Sequence, residues 1–318
     1  MLEIVGRRRF PVFLTTFFAM FLGVRQGIKR HNPQLLHAHW AIPSAIAAIP
    51  WCRLLRRPLV ITCHGSDLNI VPKSTLGRLL VHMALSSANY TIVVSTDLAK
   101  QALALGTPLG RLEVIPPPLD EALEEGGSNN HDNSPRRPVV LYVGRLDSNK
   151  GVEHIVLAMR KVVERFPTST LWIVGDGPKR KHLVQLSKAV LSEESFRFYG
   201  TVPHLYIKSY IQRSSVCVSA SLSEGLPTFV AEAMQLGKPV VVTDVSGSRD
   251  LVKDGENGLR VQPGNSEAIA DAITKLLSDS RLSSRLGERG RAFIRDYLHT
   301  KSVIGKIESV YLRVTSPR

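Results

Sequence analysis

Cysteine is scarce in this 318-residue chain: Cys52, Cys63 and Cys217 are odd in number, far apart and never spaced as CxxC. That excludes a disulfide framework and a zinc site of ordinary ligand spacing; it fits a reducing compartment, so a cytoplasmic location is expected. No apolar run reaches the roughly 20 residues that a spanning helix needs, and the most apolar stretch, Phe10 to Val24, has fifteen. Arg7, Arg8 and Arg9 precede it in the manner of a signal peptide, yet no A-x-A-like cleavage site follows. Secretion is therefore not expected. Acidic residues are few, 27 against 41 Lys and Arg, which leaves +14 at pH 7. RNP, zinc-finger and helix-turn-helix signatures are all missing, so that charge does not point to nucleic acid. The ordinary composition, 43% hydrophobic and 21% charged, excludes collagen, coiled coil and wholesale disorder.

The positive charge is uneven. Within residues 1–60 nine Lys and Arg face a single acid, Glu3, a balance of +8. Such an end is attracted to anionic headgroups or an anionic glycolipid, so peripheral contact with an anionic membrane, on the inner face of the plasma membrane, is expected. Phe13, Phe17, Phe21, Val24 and Ile28 recur near helical spacing, with Arg25, Lys29 and Arg30 beyond. This predicts an amphipathic helix whose apolar stripe covers a sheet.

Short β-branched runs alternate with helical patterns: 35–40, 59–63, 91–95 and 112–115, then, after a Gly/Ser/Asn/Pro-rich interval at 124–138, 139–144, 170–175, 196–200, 215–220 and 239–244. Strands separated by helices imply parallel sheets covered on both faces. The fold class is therefore α/β, two doubly wound parallel-sheet domains, 1–130 and 131–290, facing a cleft that is the expected site. The first half opens on Arg- and Phe-rich sequence instead of a strand and Gly-rich turn, so its domain is expected to be incomplete.

Chemistry-bearing residues cluster after the second-half strands. Gly144 and Arg145, then Lys150-Gly151, lie where a strand gives way to a helix. Arg145 offers a planar fork and Lys150 a compact charge, a pair suited to a diphosphate. Gly175-Asp176-Gly177-Pro178 reads as a tight strand-to-helix turn. Glu224-Gly225-Leu226-Pro227-Thr228-Phe229 opens a helix that carries Glu232, and leaves amides from Thr228 to Val230 pointing outward. A glycosidase pair stands about 5–9.5 Å apart, whereas eight residues over a helix start span roughly 12 Å. Recognition of hydroxyls at two points on one ligand suits Glu224 and Glu232 better. In the first half His64-Gly65-Ser66-Asp67 follows a strand, and His37 and His39 alternate on another; one of these is expected to be a packed core histidine, and no third metal ligand is suggested. No D-x-D sequence occurs, so the usual carboxylate motif for a metal on a nucleotide diphosphate is missing and a metal-free site is implied.

In this order, LLHAHW, HGSD, VGRLDSNKG, GDGP, EGLPTFVAEAM, GKPVVVTD and NGLRV resemble the retaining glycosyltransferases of family 4, of GT-B fold, from about Leu35 to Leu312. The resemblance implies transfer of a sugar from a nucleotide-sugar donor to a hydroxyl of a glycan or lipid-linked acceptor, with retention, no metal and no cofactor, in surface polysaccharide or glycolipid synthesis. It places Arg145 and Lys150 on the donor diphosphate and Glu232 on the ribose. Glu224 falls by the sugar, amides near Thr228 and Phe229 assist, and His64 faces the donor sugar. Gly175 and Gly200-Thr201-Val202 border the base, and 291–318 crosses back to the first domain. Three departures stand out: the missing Gly-Gly loop, Ile115-Pro116-Pro117-Pro118-Leu119-Asp120 at the junction, and Ser246-Gly247-Ser248-Arg249-Asp250 in place of Gly-Gly-x-x-Glu. The alternatives are a non-catalytic nucleotide-sugar-binding remnant and a phosphorylase or sugar-phosphate synthase on the same fold.

Overall fold

The computed structural model describes residues 10–119 and 137–316, with side chains from residue 15 onward. The expected 124–138 interval lies almost wholly outside these residues. Internal contacts divide the chain into two compact units, Met1–Pro117 with Lys301–Arg318, and Pro118–Thr300.

The first unit holds four parallel strands in the order β1-β2-β3-β4: Leu36–His39, Leu59–Cys63, Tyr90–Val93 and Leu112–Val114. β2 and β3 are buried along their whole length, which is why they read as β-branched, mainly apolar runs without alternation. Val303 and Val310 of the helix Thr300–Thr315 pack on Val60, Tyr90, Ile92 and Ile115, so the end of the chain covers one face of this sheet. Arg313 caps the contact, its Nη1 lying 3.0 Å from Tyr90 Oη and 3.3 Å from Glu113 Oε2.

The amphipathic helix runs from Phe10 to His31. Its apolar stripe meets another helix before any sheet: the Phe21 ring lies 4.8 Å from Trp51 on the helix Ile46–Leu54, and Trp51 Nε1 donates to Phe21 O at 3.0 Å. The expectation that the stripe covers a sheet is thus corrected to a helix–helix contact, with Ile28 buried at its far end.

In the second unit six parallel strands run in the order β10-β9-β8-β5-β6-β7, with β5 Val139–Val143, β6 Thr170–Val174, β7 Phe196–Gly200, β8 Val216–Ser219, β9 Val240–Thr243 and β10 Leu259–Val261. Apolar residues cover both faces. The helices Val152–Arg165 and Ser266–Ser278 lie on one, and His204–Arg213, Thr228–Gln235 and the Ile294 end of Ser280–Tyr297 on the other. β10 escapes the sequence reading because three residues with Arg260 in the middle carry too little pattern.

Candidate active site

The strand order of the second sheet decides where a ligand can sit. The chain winds outward from β5 through β6 and β7 in one direction and through β8, β9 and β10 in the other. Loops leaving the carboxyl ends of β5 and β8 therefore diverge, and an open parallel sheet collects ligands at that switch point. Residues 144–151 and 220–227 are those two loops.

Close backbone packing shapes them. Gly175 has φ +131°, and a Cβ there would stand 1.9 Å from Gly144 O, so any side chain would push the two turns apart. At Gly151, φ +57°, a Cβ would meet Ala220 O at 2.2 Å. Hydrogen bonds stitch the loops together: Leu222 N donates to Asn149 O and Asn149 Nδ2 to Ser223 O, both at 2.7 Å.

These bonds bring together residues 74 positions apart. Lys150 Nζ lies 2.5 Å from Glu224 Oε1, and Ser221 Oγ donates to the same oxygen at 2.8 Å. Lys150 and Glu224 side chains are 27% and 12% exposed, so the pair is partly withdrawn from water but still open to a ligand. Arg145 reaches further out, 69% exposed, with Nε 3.4 Å from Asp147 Oδ2. Beneath it Tyr142 Oη donates to Arg145 O at 3.0 Å; burial, then the charges of Glu224 and Asp147, push the phenol pKa up, so the donor stays protonated.

Pro227 stands in the cap position of the helix Thr228–Gln235 and supplies no side-chain acceptor. Val230 N is taken by Pro227 O at 3.0 Å, which corrects the expected set of outward amides to Thr228 and Phe229. One turn further in, Glu232, 13% exposed, lies 3.0 Å from His204 Nε2. His204 was not legible as a site residue; its one sequence signal is its place directly after Gly200-Thr201-Val202-Pro203. Val202 and Leu226 pack against the same apolar cluster, so the 200–204 turn and the Gly225-Leu226 loop border one region.

His64 belongs to the first unit, at the carboxyl end of β2. Its Nε2 lies 2.9 Å from His39 Nδ1, and their rings stack at 5.1 Å. Burial, then the neighbouring His39, lowers the His64 pKa, with Asp67 opposing. His37 is the packed histidine: Nδ1 meets Tyr311 Oη and Nε2 meets Thr62 Oγ1, both at 2.7 Å. Burial, then His39 and His64, lowers its pKa to about 4. Among the described residues no three His, Cys, Asp or Glu side chains are grouped to hold a metal ion.

The His37 shift sets a pH dependence. Between about pH 6.5 and 4 the unfolded ring binds a proton that the folded ring does not, so stability falls as pH drops through that window, by about 3 kcal/mol at full shift and about 2 kcal/mol once solvent screening of this half-buried ring is discounted. Denaturant midpoints measured from pH 7 to 4 should show the loss, and His37→Asn should flatten it. An unchanged slope in the variant would count against the assignment.

The model for "Glycosyl transferases group 1" matches residues 128–293, more than half the chain, and that for "Glycosyltransferase Family 4" matches residues 3–123. The chain belongs to the group 1 glycosyltransferases. This glycosyltransferase is 24% identical over 293 residues to N-acetyl-alpha-D-glucosaminyl L-malate synthase of Bacillus anthracis, covering 90% of this chain and 76% of that one. Alpha-D-kanosaminyltransferase of Streptomyces kanamyceticus is 28% identical over 282 residues, covering 83% and 73%. The Anabaena protein HepE, solved in complex with UDP and glucose, superposes with a TM-score of 0.80 at 21% identity over 91% of this chain and 80% of that one. The glycosyltransferase therefore has the GT-B fold of two parallel α/β domains.

Proposed function

We propose that this glycosyltransferase moves a sugar from a nucleotide-diphosphate donor to an acceptor hydroxyl, with retention at the anomeric carbon and without a metal ion. The observation that carries this reading is the gathering of Lys150, Arg145 and the Thr228 and Phe229 amides around one sheet switch point. Sugar transfer breaks a bond to a diphosphate, so negative charge builds on the departing oxygens. Preorganised cations and amides stabilise that charge more than they stabilise the intact donor, which is what accelerates the step. Glu224, fixed by Lys150 and Ser221, is placed to accept from a sugar hydroxyl. Glu232, with His204, is placed for the ribose, and Gly175 and the 200–202 turn for the base. Within the first unit, His64 presents an imidazole with a lowered pKa that suits hydrogen bonding to a sugar hydroxyl.

The test is release of nucleoside diphosphate from UDP-sugars and other nucleotide sugars in the presence of glycan and lipid-linked acceptors, with the product anomer read by NMR. Glu232→Ala should weaken nucleotide binding by about 1–3 kcal/mol on titration, the value of a hydrogen bond to an ionised group; unchanged affinity would contradict its role. An inverted product would refute retention, and turnover abolished by a chelator would refute metal independence. Turnover that requires inorganic phosphate would indicate a phosphorylase, and nucleotide binding without transfer a non-catalytic binder.

Acceptor chemistry follows from the amino-terminal helix. Phe18, Leu22, Arg25 and Lys29 fall on one exposed stripe at helical spacing, apolar at one end and basic at the other. Among the described residues no helix is long and apolar enough to cross a membrane. The stripe is suited to rest on an anionic bilayer, which supports a lipid-linked or surface-glycan acceptor at the cytoplasmic face of the plasma membrane. Sedimentation with phosphatidylglycerol vesicles should decline as salt rises; salt-insensitive partitioning would argue against contact driven by charge.

A further inference from the structure

A cavity of about 390 Å³ opens at the opposite, amino-terminal edge of the six-stranded sheet, where β5 and β6 begin beside the edge strand β7. Its origin is geometric. Trp172 on β6 pairs in register with Arg197 on β7, and Tyr199, at the register shift that follows, lies against the Trp172 ring. The helix His204–Arg213 packs over this face through Ile207 and Ile211 and leaves the start of the edge strand open.

Three guanidinium groups from three separate segments line the opening, those of Arg137, Arg197 and Arg213, against one carboxylate, Glu194. The Arg213 guanidinium lies over the Trp172 ring, 4.9 Å from its centroid, which fixes the plane of the cation while leaving its N–H edge to donate. Arg197 Nη1 is held by the carbonyls of Glu193 and Phe196, the latter at 2.9 Å, and its other donors are not used in those bonds. Glu194 is held mainly by its own turn. Its carboxyl is held below the usual range by its own backbone N–H first and by Ser192 next, and the charges of Arg197 and Arg137 add to that. Three guanidinium groups against one carboxylate leave a positive lining that suits an anion.

The floor narrows the ligand class. Tyr199 is 38% exposed and crosses Trp172 at 68° with centroids 5.4 Å apart. Tyr210 crosses Tyr199 as well, at 72° with centroids 4.9 Å apart, so the rings form no parallel slot for a nucleobase, and the exposed part of the Tyr199 ring suits the apolar side of a pyranose. We propose that this cavity binds an anionic saccharide, a sugar ring bearing a carboxylate or a phosphate, at a site separate from the donor site. Neither Arg145 nor Lys150 takes part, so the proposal does not depend on the glycosyltransferase reading.

Calorimetric titration of the full chain tests it with digalacturonic acid, glucose 6-phosphate, inorganic phosphate and neutral cellobiose. Saturable binding of at least one anionic sugar is expected, about tenfold weaker or more in Arg213→Gln and in Arg197→Gln and unchanged in Lys150→Ala. Cellobiose should give no heat. Binding of digalacturonic acid alone identifies a uronic residue as the ligand, and of glucose 6-phosphate alone a sugar phosphate. Because Arg213 also packs on Trp172, Tyr199→Ala provides a second variant on an exposed ring, and it should weaken the sugars while leaving inorganic phosphate unaffected. The proposal is overturned if neither anionic sugar binds, if Lys150→Ala abolishes binding that Arg213→Gln and Arg197→Gln retain, or if inorganic phosphate binds as tightly as the sugars.

Discussion

Lys150→Ala is expected to lower turnover of the nucleotide sugar by about 10³-fold, the scale on which a preorganised group aimed at developing charge contributes to catalysis. The expectation rests on placement. Lys150 is 27% exposed and held at a sheet switch point by a 2.5 Å contact with Glu224, so its charge is fixed before the donor arrives. Arg145, 69% exposed and loosely held by Asp147, is more screened, and Arg145→Ala should cost less. Removing Lys150 also strips Glu224 of its cation, and the partly buried carboxylate keeps Ser221 Oγ. A modest loss of stability, about 1–2 kcal/mol, follows from that alone. The two effects separate experimentally, since Lys150→Ala/Glu224→Gln should recover the melting temperature and leave turnover low. Turnover within a few-fold of the wild type, with nucleotide affinity intact, would remove Lys150 from the chemistry.

The sequence makes this site legible only in part. Glycines that tolerate no Cβ, Gly151 and Gly175, mark the turns, and the buried parallel strands mark the sheet because an unbroken apolar run is a local signal. Pairings across the sheet are not local. The Lys150–Glu224 contact joins residues 74 apart, and the Glu232–His204 contact joins residues 28 apart across two loops, so neither has a periodicity to read. His204 was missed for that reason. Likewise the Val230 amide looks free in the sequence because the counting rule for helix starts ignores that Pro227 O can turn back on it. In the first unit His37 and His39 sit on one strand two residues apart and look equivalent. Only the folded chain places Tyr311, from the last helix, against one of them and His64 against the other.

Asp67→Ala should destabilise the first unit by about 3–5 kcal/mol, the scale of breaking a buried charged network. The Asp67 side chain is in a residue 1% exposed, and its two oxygens divide the work: Oδ1 accepts from His64 N at 3.2 Å and Gly65 N at 2.9 Å, and Oδ2 from Ala41 N at 3.2 Å. Those bonds tie the turn after β1 to the loop after β2, the two segments that present Trp40 and His64. Burial first, then the Asp67 charge, raises the pKa of the Cys63 thiol, which keeps that neighbour neutral. Alanine leaves three amides without their acceptor. Asparagine can turn its carbonyl toward His64 N and Gly65 N and then sets an NH₂ group against Ala41 N, losing one bond of the three. Asp67→Asn should accordingly cost about 2 kcal/mol. Unfolding of the two units need not coincide, so one transition for the whole chain would mislead. Trp40 and Trp51 lie in the first unit and Trp172 in the second, so denaturant titrations in a Trp172→Phe background report the first unit alone. An Asp67→Ala midpoint equal to that of Asp67→Asn would show that the carboxylate's three-way bonding is not what holds the His64 loop.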